Sequence, residues 1–364
     1  MNTPHEFGAL NAGLTLLRAQ NFASGAALAT LTRTFGSTFR RAGARMLVIG
    51  DGTIVRGLSG GCPEADIIAR AQDVIQTGVA RIVRYNRETG LDALMELGCG
   101  GELEVLIEPL VNETALQFAD AAADCLAQRR RGVLATVFAA DGQCLEPAPR
   151  RLVWRDGIIV DSTDSAALSA AVAELAQAAQ PGAPRVETVA VDGVVYEVLI
   201  ETLIPPHALS IIGNNAGATA LAKIGAGLGW AVTLVDHRDA PQWPGDLPPQ
   251  IRCVSAGPET ITSTVPLDNR SSAVVMTHNL ARDIDYISAL APSTIAYLGA
   301  IGSRQRSRKL LDACMPQRRV HAPAGLDVGS ETPEEIALAI AAEILAVTNG
   351  RGAQPLGDTN GPIH

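Results

Sequence analysis

LSIIGNNAGATALAKIGAGLGWAVTLVDHR, residues 209–238, decides the fold. An apolar run, a glycine-containing turn, an alanine-rich stretch and a second apolar run ending in an acid have the strand, turn, helix, strand layout of a dinucleotide fold. Downstream, the strand-like runs AVVMTH and TIAYLGAIG and the helical EEIALAIAAEILAVT continue the alternation. Strands alternating with helices predict a parallel sheet with right-handed crossovers. The reading is α/β, with a Rossmann-like doubly wound parallel sheet over residues 208–350, a boundary at Pro205 and Pro206, and a frayed Gly/Pro-rich tail over 351–364.

Against the fingerprint G-x-G-x-x-G/A, the chain has Gly213, then Asn214, then Asn215 at the second glycine and Ala218 at the third. The second glycine normally lets the backbone approach a pyrophosphate, so a side chain there predicts obstruction. Asparagine tolerates unusual backbone angles, so the turn itself is expected to survive. Asp236 ends the second strand, where a ribose-binding acid or an ordinary polar strand end would sit. His237 and Arg238 beside it are candidates for flanking a phosphate or carboxylate, with plain surface residues as the alternative. His278 and Asn279 follow an apolar strand at the carboxyl edge of the sheet, where α/β ligands bind; a histidine that merely caps the strand is the alternative.

Further along, Gly302 and Ser303 precede a run with Arg304, Arg306, Arg308 and Lys309, and Ser303 reads as a helix N-cap. Cations beside a helix start suit phosphate, although a charge run is more often a solvated face. In GLDVGSETPEEIA, Thr332, Pro333 and Glu335 form a helix start. Asp327 is not explained by capping and lies in a glycine-flanked loop, where it is a cofactor-binding candidate expected to face the cleft between the domains.

Residues 1–204 read differently, as an α+β domain with cysteine loops and a β-containing subdomain from about 132 to 204. ARMLVIGDGTIVRGLSGGC, residues 44–62, is a hairpin with Asp51-Gly52 at its turn. PEADIIARAQDVIQTG after Cys62 is a helix stopped by Gly78, and ARIVRYN and ELEVLIEPL are strands. A further helix is expected from about Thr114 to Arg131. In SGGC, the glycines Gly60 and Gly61 after Ser59 allow successive amides to converge on an anion or a soft ligand. The helix that starts at Cys62 adds its positive end, which favours thiolate. In GCGG, Gly98, Cys99, Gly100 and Gly101 repeat the pattern before a strand, so the case is weaker. Tight turns with small buried thiols are the competing reading for both loops.

The chain has 364 residues, 47% hydrophobic and 4% aromatic, and a formal charge of -9, which argues against nucleic acid or anionic membrane as a partner. No apolar run approaches the length of a membrane span, and MNTPHEFGAL lacks the features of a signal peptide, so a cytoplasmic location is expected. The six cysteines form no CxxC pair, which excludes zinc-ribbon spacing and makes reduced thiols the expectation.

The run GSTFRRAGARMLVIGDGTIVRGLSGGCPEADI, followed by LGCGGELEVLIEPL, resembles the amino-terminal signature of the XdhC/CoxI family. YLGAIGSRQRSRKLL and HAPAGLDVGSETPEEIALAIAAEI resemble the same family's other signature, in the right order. The resemblance implies an assembly protein that binds the molybdenum cofactor (molybdopterin), keeps it while a sulfido ligand is installed, and delivers it to a molybdenum hydroxylase of the xanthine or carbon monoxide dehydrogenase type. It implies Cys62 and Cys99 as possible contacts for molybdenum or its sulfur, and a cysteine desulfurase and the target hydroxylase as partners; a homodimer is also open. Arg40, Arg41 and Arg45 are candidates for pairing with the cofactor's phosphate through a guanidinium fork, or a solvated basic edge. Family members more typically carry GAG where this chain has Gly213-Asn214-Asn215. The rival reading is an NAD(P)-dependent oxidoreductase with Asp236 on the ribose and a cysteine or His278 at the reacting centre; a third, a cytidylyl-type enzyme acting on the same cofactor, is not supported, because the sequence has no magnesium-binding acidic cluster paired with a nucleotide loop.

Overall fold

The computed structural model describes residues 4–36, 38, 40–58, 62–85 and 101–358. The chain divides into two compact units, Met1–Pro205 and Pro206–His364.

The first unit runs α1 (Pro4–Ala19), β1 (Ala26–Phe35), β2 (Arg45–Ile49), β3 (Ile54–Val55), α2 (Cys62–Thr77), β4 (Arg81–Tyr85) and β5 (Glu102–Pro109). It continues with α3 (Gln117–Ala127), β6 (Gly132–Ala140), β7 (Gln143–Cys144), β8 (Arg150–Trp154), β9 (Ile158–Asp161), α4 (Ala166–Ala178), β10 (Arg185–Val191) and β11 (Val194–Leu203). Two antiparallel sheets result, ordered β3-β2-β1-β5-β4 and β10-β11-β6-β8-β9, with β7 paired to β6. The hairpin expected at Asp51-Gly52 forms between β2 and β3. Gly52 has φ +90, and the Asp51 carboxylate accepts from the Thr53 amide at 2.8 Å, so the turn is closed by its own residues.

Strand alternation sorts the first unit into layers. Ala27, Ala29 and Leu31 of β1 and Val105 and Ile107 of β5 pack with Ile67, Ala71 and Val74 of α2. Val133, Ala135 and Val137 of β6 pack with Leu168, Val172 and Ala176 of α4. The remaining faces of the two sheets meet each other: Leu106 packs with Phe138 and Leu199, and Leu28 and Leu47 pack with Leu134 and Leu203 beneath α1 and α3. The unit is therefore helix, sheet, sheet, helix. α4 is not expected from the sequence; Ser165 caps it by accepting from the Leu168 amide.

A belt of charge crosses the interior between those sheets. Arg45 donates to Glu201 through Nη1 at 2.8 Å and Nη2 at 2.5 Å, with side chains 3% and 0% exposed. Arg151 is paired with Glu108 and lies over the Phe118 ring, 4.0 Å from its centre. Arg33 joins Glu104 and Glu197, each at 2.5 Å. Every charge in this belt has its counter-charge on a neighbouring strand, which is the condition under which burial is tolerated.

The second unit contains β12 (Ala208–Ile212), α5 (Ala216–Gly227), β13 (Ala231–Asp236), β14 (Arg252–Ser255), α6 (Ile261–Thr264) and β15 (Ser271–Val275). α7 (Leu280–Leu290), β16 (Tyr297–Ala300), α8 (Arg304–Cys314) and α9 (Pro333–Thr348) complete it. All five strands are parallel, in the order β14-β13-β12-β15-β16. By position in this unit the order is third, second, first, fourth, fifth, the doubly wound arrangement whose direction reverses between β12 and β15. α5 and α9 cover one face and α7 and α8 the other. The Rossmann-like parallel fold expected from residues 209–238 is thus present; β14 and α7 are additions to that reading. Among the described residues no helix is long and apolar enough to cross a membrane.

Candidate functional site

In the first unit, Cys62 is the first residue of α2. Ser59, Gly60, Gly61, Gly98, Cys99 and Gly100 lie outside the described residues, and so does the side chain of Cys62. Gly101 is buried immediately before β5. Described groups fix the elements that carry both loops. Tyr85, the last residue of β4, donates its hydroxyl to Asp66 at 2.7 Å, and Arg70 donates to the same carboxylate oxygen at 2.6 Å. The start of the helix behind Cys62 is therefore tied to the strand that precedes Cys99. A cleft of about 260 Å³ opens at the ends of β1, β4 and β5, lined by Arg33, Phe35, Arg84, Tyr85, Glu102 and Glu104 among others.

The other four cysteines are poor candidates for thiolate chemistry. Burial pushes the thiols of Cys125, Cys144, Cys253 and Cys314 up, with Cys144 reaching about 11. Among the described residues no group of three or more His, Cys, Asp or Glu is arranged to hold a metal ion.

The arginines expected to meet a phosphate divide. Arg45 is corrected: its guanidinium fork is taken by Glu201 in the sheet interface, out of reach of any ligand's phosphate. Arg40 is paired with Glu6 at 2.5 Å, and Arg41 is exposed.

In the second unit, Gly213, Asn214, Asn215, Asp236, His237, Arg238 and His278 come together with Thr277 around a cleft of about 270 Å³. It lies at the carboxyl ends of β12, β13 and β15, at the point where strand order reverses. Gly213 has φ +151, and a Cβ there would stand 2.5 Å from the Met276 carbonyl oxygen, so glycine is required. Asn215 does not use the backbone tolerance expected of it, since its φ is -147. Its side chain serves instead: Oδ1 accepts from the Ala218 amide at 3.0 Å, capping α5, and Nδ2 donates to the Met276 carbonyl at 2.7 Å. The chain's own amide thus occupies the helix start at which a dinucleotide's pyrophosphate binds.

Asp236 is 3% exposed, and both of its oxygens are engaged. Asn214 Nδ2 donates to Oδ2 at 3.1 Å, the Arg238 amide donates to Oδ1 at 3.0 Å, and Arg238 Nη2 donates to Oδ2 at 2.5 Å. Burial alone would raise its pKa, but the bonds from Arg238 and Asn214 outweigh that and hold the carboxyl down at about 2. His237 Nδ1 lies 3.2 Å from Asp236, and its Nε2 faces Arg282 of α7. Since arginine only donates, that ring nitrogen accepts.

His278 has φ +59, a left-handed conformation that costs a non-glycine residue and holds the turn between β15 and α7. Asn279 is a cap, accepting from the Arg282 amide at 3.2 Å, and does not line the cleft. Ser303 likewise caps α8 through the Arg306 amide. Gly302 has φ +151, a backbone conformation that residues with a side chain rarely adopt. Arg306 donates to Asp283 at 2.5 Å, and Thr277 donates to the other oxygen of that fully buried carboxylate at 2.5 Å. Arg304, Arg308 and Asp327 do not line the cleft, and Arg304 and Arg308 lie in α8.

Asp283 and Arg282 escape the sequence reading because α7 itself does. So does Glu343 of α9, which accepts from Tyr297 at 2.6 Å, His321 at 2.7 Å and the Gly325 amide at 2.7 Å. A single acid inside the apolar run IAAEILAV is the available signal, because a buried charge requires partners.

Residues 23–86 match the model of the XdhC and CoxI family, and residues 209–344 match the model described as the XdhC Rossmann domain. The chain is 27% identical to a Bacillus subtilis protein described as a probable subunit of xanthine dehydrogenase, over 88% of this chain and 92% of that one. It is 23% identical to the molybdenum cofactor insertion chaperone PaoD of Escherichia coli, over 89% of this chain and 83% of that one. A crystal structure from Bacillus halodurans, described as a xanthine dehydrogenase, superposes with a TM-score of 0.73 at 23% identity, covering 95% of this chain and 97% of that one. That likeness confirms the fold.

Proposed function

The chain belongs to the XdhC and CoxI family, and on that premise we propose that it is a maturation protein that carries the molybdenum cofactor as cargo to a molybdenum hydroxylase. The observation that carries the reading is similarity along most of the chain to a relative described as a molybdenum cofactor insertion chaperone. The relative described as part of a xanthine dehydrogenase supports a target of that type. Delivery requires no turnover by the carrier itself. It requires a holding site that protects the cargo and then lets it go.

Cys62 is the first choice for a contact to molybdenum or its sulfur. It opens a helix of 16 residues, whose positive end favours thiolate, and thiolates are soft ligands. Cys99 is the second choice, on the GCGG resemblance. The sulfido ligand would come from a cysteine desulfurase, with which the carrier would have to dock. The rival use of the second unit, NAD(P) chemistry, has Asn215 against it.

The test is to purify the full chain and measure molybdenum by elemental analysis and pterin by fluorescence, then repeat with Cys62→Ser and Cys99→Ser. Molybdenum and pterin together with the native chain, and their loss from one or both variants, are expected. Retention by both variants overturns the cysteine assignment; a native chain that takes up neither component when incubated with the cofactor overturns the cargo reading.

A further inference from the structure

The pair Asp236 and Arg238 has a geometry that specifies a ligand. Asp236 ends β13 at the floor of the cleft and is 3% exposed, whereas Arg238 is 55% exposed above it. The guanidinium presents a fork to the carboxylate: Nε lies 3.1 Å from each oxygen and Nη2 2.5 Å from Oδ2. Two N–H groups on adjacent nitrogens of one N–C–N unit, aimed at a fixed carboxylate, are recognised bidentately. A 2-amino-pyrimidin-4-one carries the same unit within its ring, because ring N3–H and the exocyclic amine flank one carbon. Pterins and guanine share that edge.

Resting on the cargo reading, we infer that Asp236 recognises the 2-amino-pyrimidin-4-one edge of the cofactor's pterin, and that the Arg238 side chain stands in that edge's place in the structure. Two features support a heterocycle over a ribose diol. The pyrophosphate that would anchor the ribose of a dinucleotide meets Asn215, whose amide is already bonded to Ala218 and Met276. The carboxyl is also held down in part by bonds that do not involve the guanidinium, those from the Arg238 amide and the Asn214 side chain, which favour the anion that pairing with two N–H donors requires. Arg238 is able to yield because its exposed guanidinium regains water when displaced, while the two N–H donors of the ligand replace it on the buried carboxylate so that no charge is left unpaired. The bonds from the Asn214 side chain and the Arg238 amide do not depend on that guanidinium, so the carboxylate keeps its orientation while the partner changes.

The experiment uses the full chain and the fluorescent probe 6-hydroxymethylpterin, followed by anisotropy. Lumazine, whose 2-oxo group replaces the amine, is the edge control, and GMP and AMP are competitors. The pterin should bind and lumazine should not. Asp236→Asn, which sets an amide NH2 against one of the ligand's donors, should weaken binding by about ten- to a hundredfold. Arg238→Ala should tighten it several-fold, since the stand-in is gone. Weaker binding in Arg238→Ala, unchanged binding in Asp236→Asn, equal binding of lumazine, or no binding of pterin or GMP to the native chain overturns the inference. GMP competing better than the pterin upholds the edge chemistry and moves its source to a guanine nucleotide. Molybdenum retention separates the two levels of the argument. If Asp236→Asn retains the cofactor like the native chain, this inference falls and the carrier stands. If the native chain takes up no cofactor, the carrier falls, and the titrations still decide what Asp236 recognises.

Discussion

Replacing Asn215 with glycine tests whether this side chain keeps a dinucleotide off the second unit. The change removes two bonds, one to the Ala218 amide and one to the Met276 carbonyl. Glycine in place of asparagine at an N-cap costs only a few tenths of a kcal/mol, and losing the second bond costs ~0.5–1.5 kcal/mol. The unit should therefore lose about 1–2 kcal/mol, or roughly 2–8 °C in melting temperature for a unit of this size. In exchange, backbone is uncovered at the start of α5. At tenfold excess over its dissociation constant, NAD would restore ~1.4 kcal/mol, about 3–6 °C. Differential scanning fluorimetry of the full chain with and without NAD reads both effects. Asn215→Ala is the control: it removes both bonds but leaves a Cβ in the way, so it should melt lower than the glycine variant and gain nothing from NAD. A native chain stabilised by NAD as strongly as Asn215→Gly would refute the reasoning, because the side chain would then be no obstacle.

Arg45→Met or Glu201→Gln alone should cost about 3–5 kcal/mol, since each strands a charge between the sheets of the first unit. The double variant Arg45→Met/Glu201→Leu should recover most of that in guanidinium denaturation; a double variant as weak as the singles would contradict the pairing. The pH dependence of the second unit should carry the mark of Glu343. Burial opposes its ionisation, but His321, Tyr297 and the Gly325 amide hold its pKa at about 2, below the ordinary 4.5. A depressed carboxyl contributes stability that is fully present above pH 4.5 and is lost as pH falls toward 2, here with an upper bound of ~3 kcal/mol. Melting curves between pH 5.5 and 2.5 should be flatter for Glu343→Gln than for the native chain, and equal slopes would remove Glu343 from the account.

Local signals carry the fold where partners are close in sequence. Asp51-Gly52 announces its hairpin, and the 209–238 layout announces a parallel sheet, because each depends on residues within one supersecondary unit. Arg45 shows where this stops. A cation at the start of an apolar strand looks like an edge residue until β11 places Glu201 opposite it, 156 positions away. The clue lies in the acids: Glu104, Glu108 and Glu201 each interrupt an apolar strand at positions that alternation turns inward. At the candidate site, Gly213, Asp236 and His278 are legible by position at strand ends. Asn279 looks like a ligand contact in the sequence, whereas the structure uses it as a cap; Ser303 is the cap that its position before a helix suggests. Short polar side chains before a helix serve either purpose, and only the helix amide they face distinguishes the two.

That distinction bears on how the second unit could hold a ligand at all. Helices α5, α7 and α8 all begin at the carboxyl edge of the sheet, and each is capped by its own residue, Asn215, Asn279 or Ser303. Three cations of the same edge are likewise engaged: Arg238 with Asp236, Arg282 with His237, and Arg306 with Asp283. A site with open helix ends and unpaired arginines would draw in any phosphate by charge alone. Here a ligand has to exchange one set of hydrogen bonds for another of matching geometry. Selection then rests on the shape of the donor edge, and the internal partners resume their places when the ligand leaves. Reversible exchange of that kind would suit the carrier role proposed above, in which the cargo has to be given up.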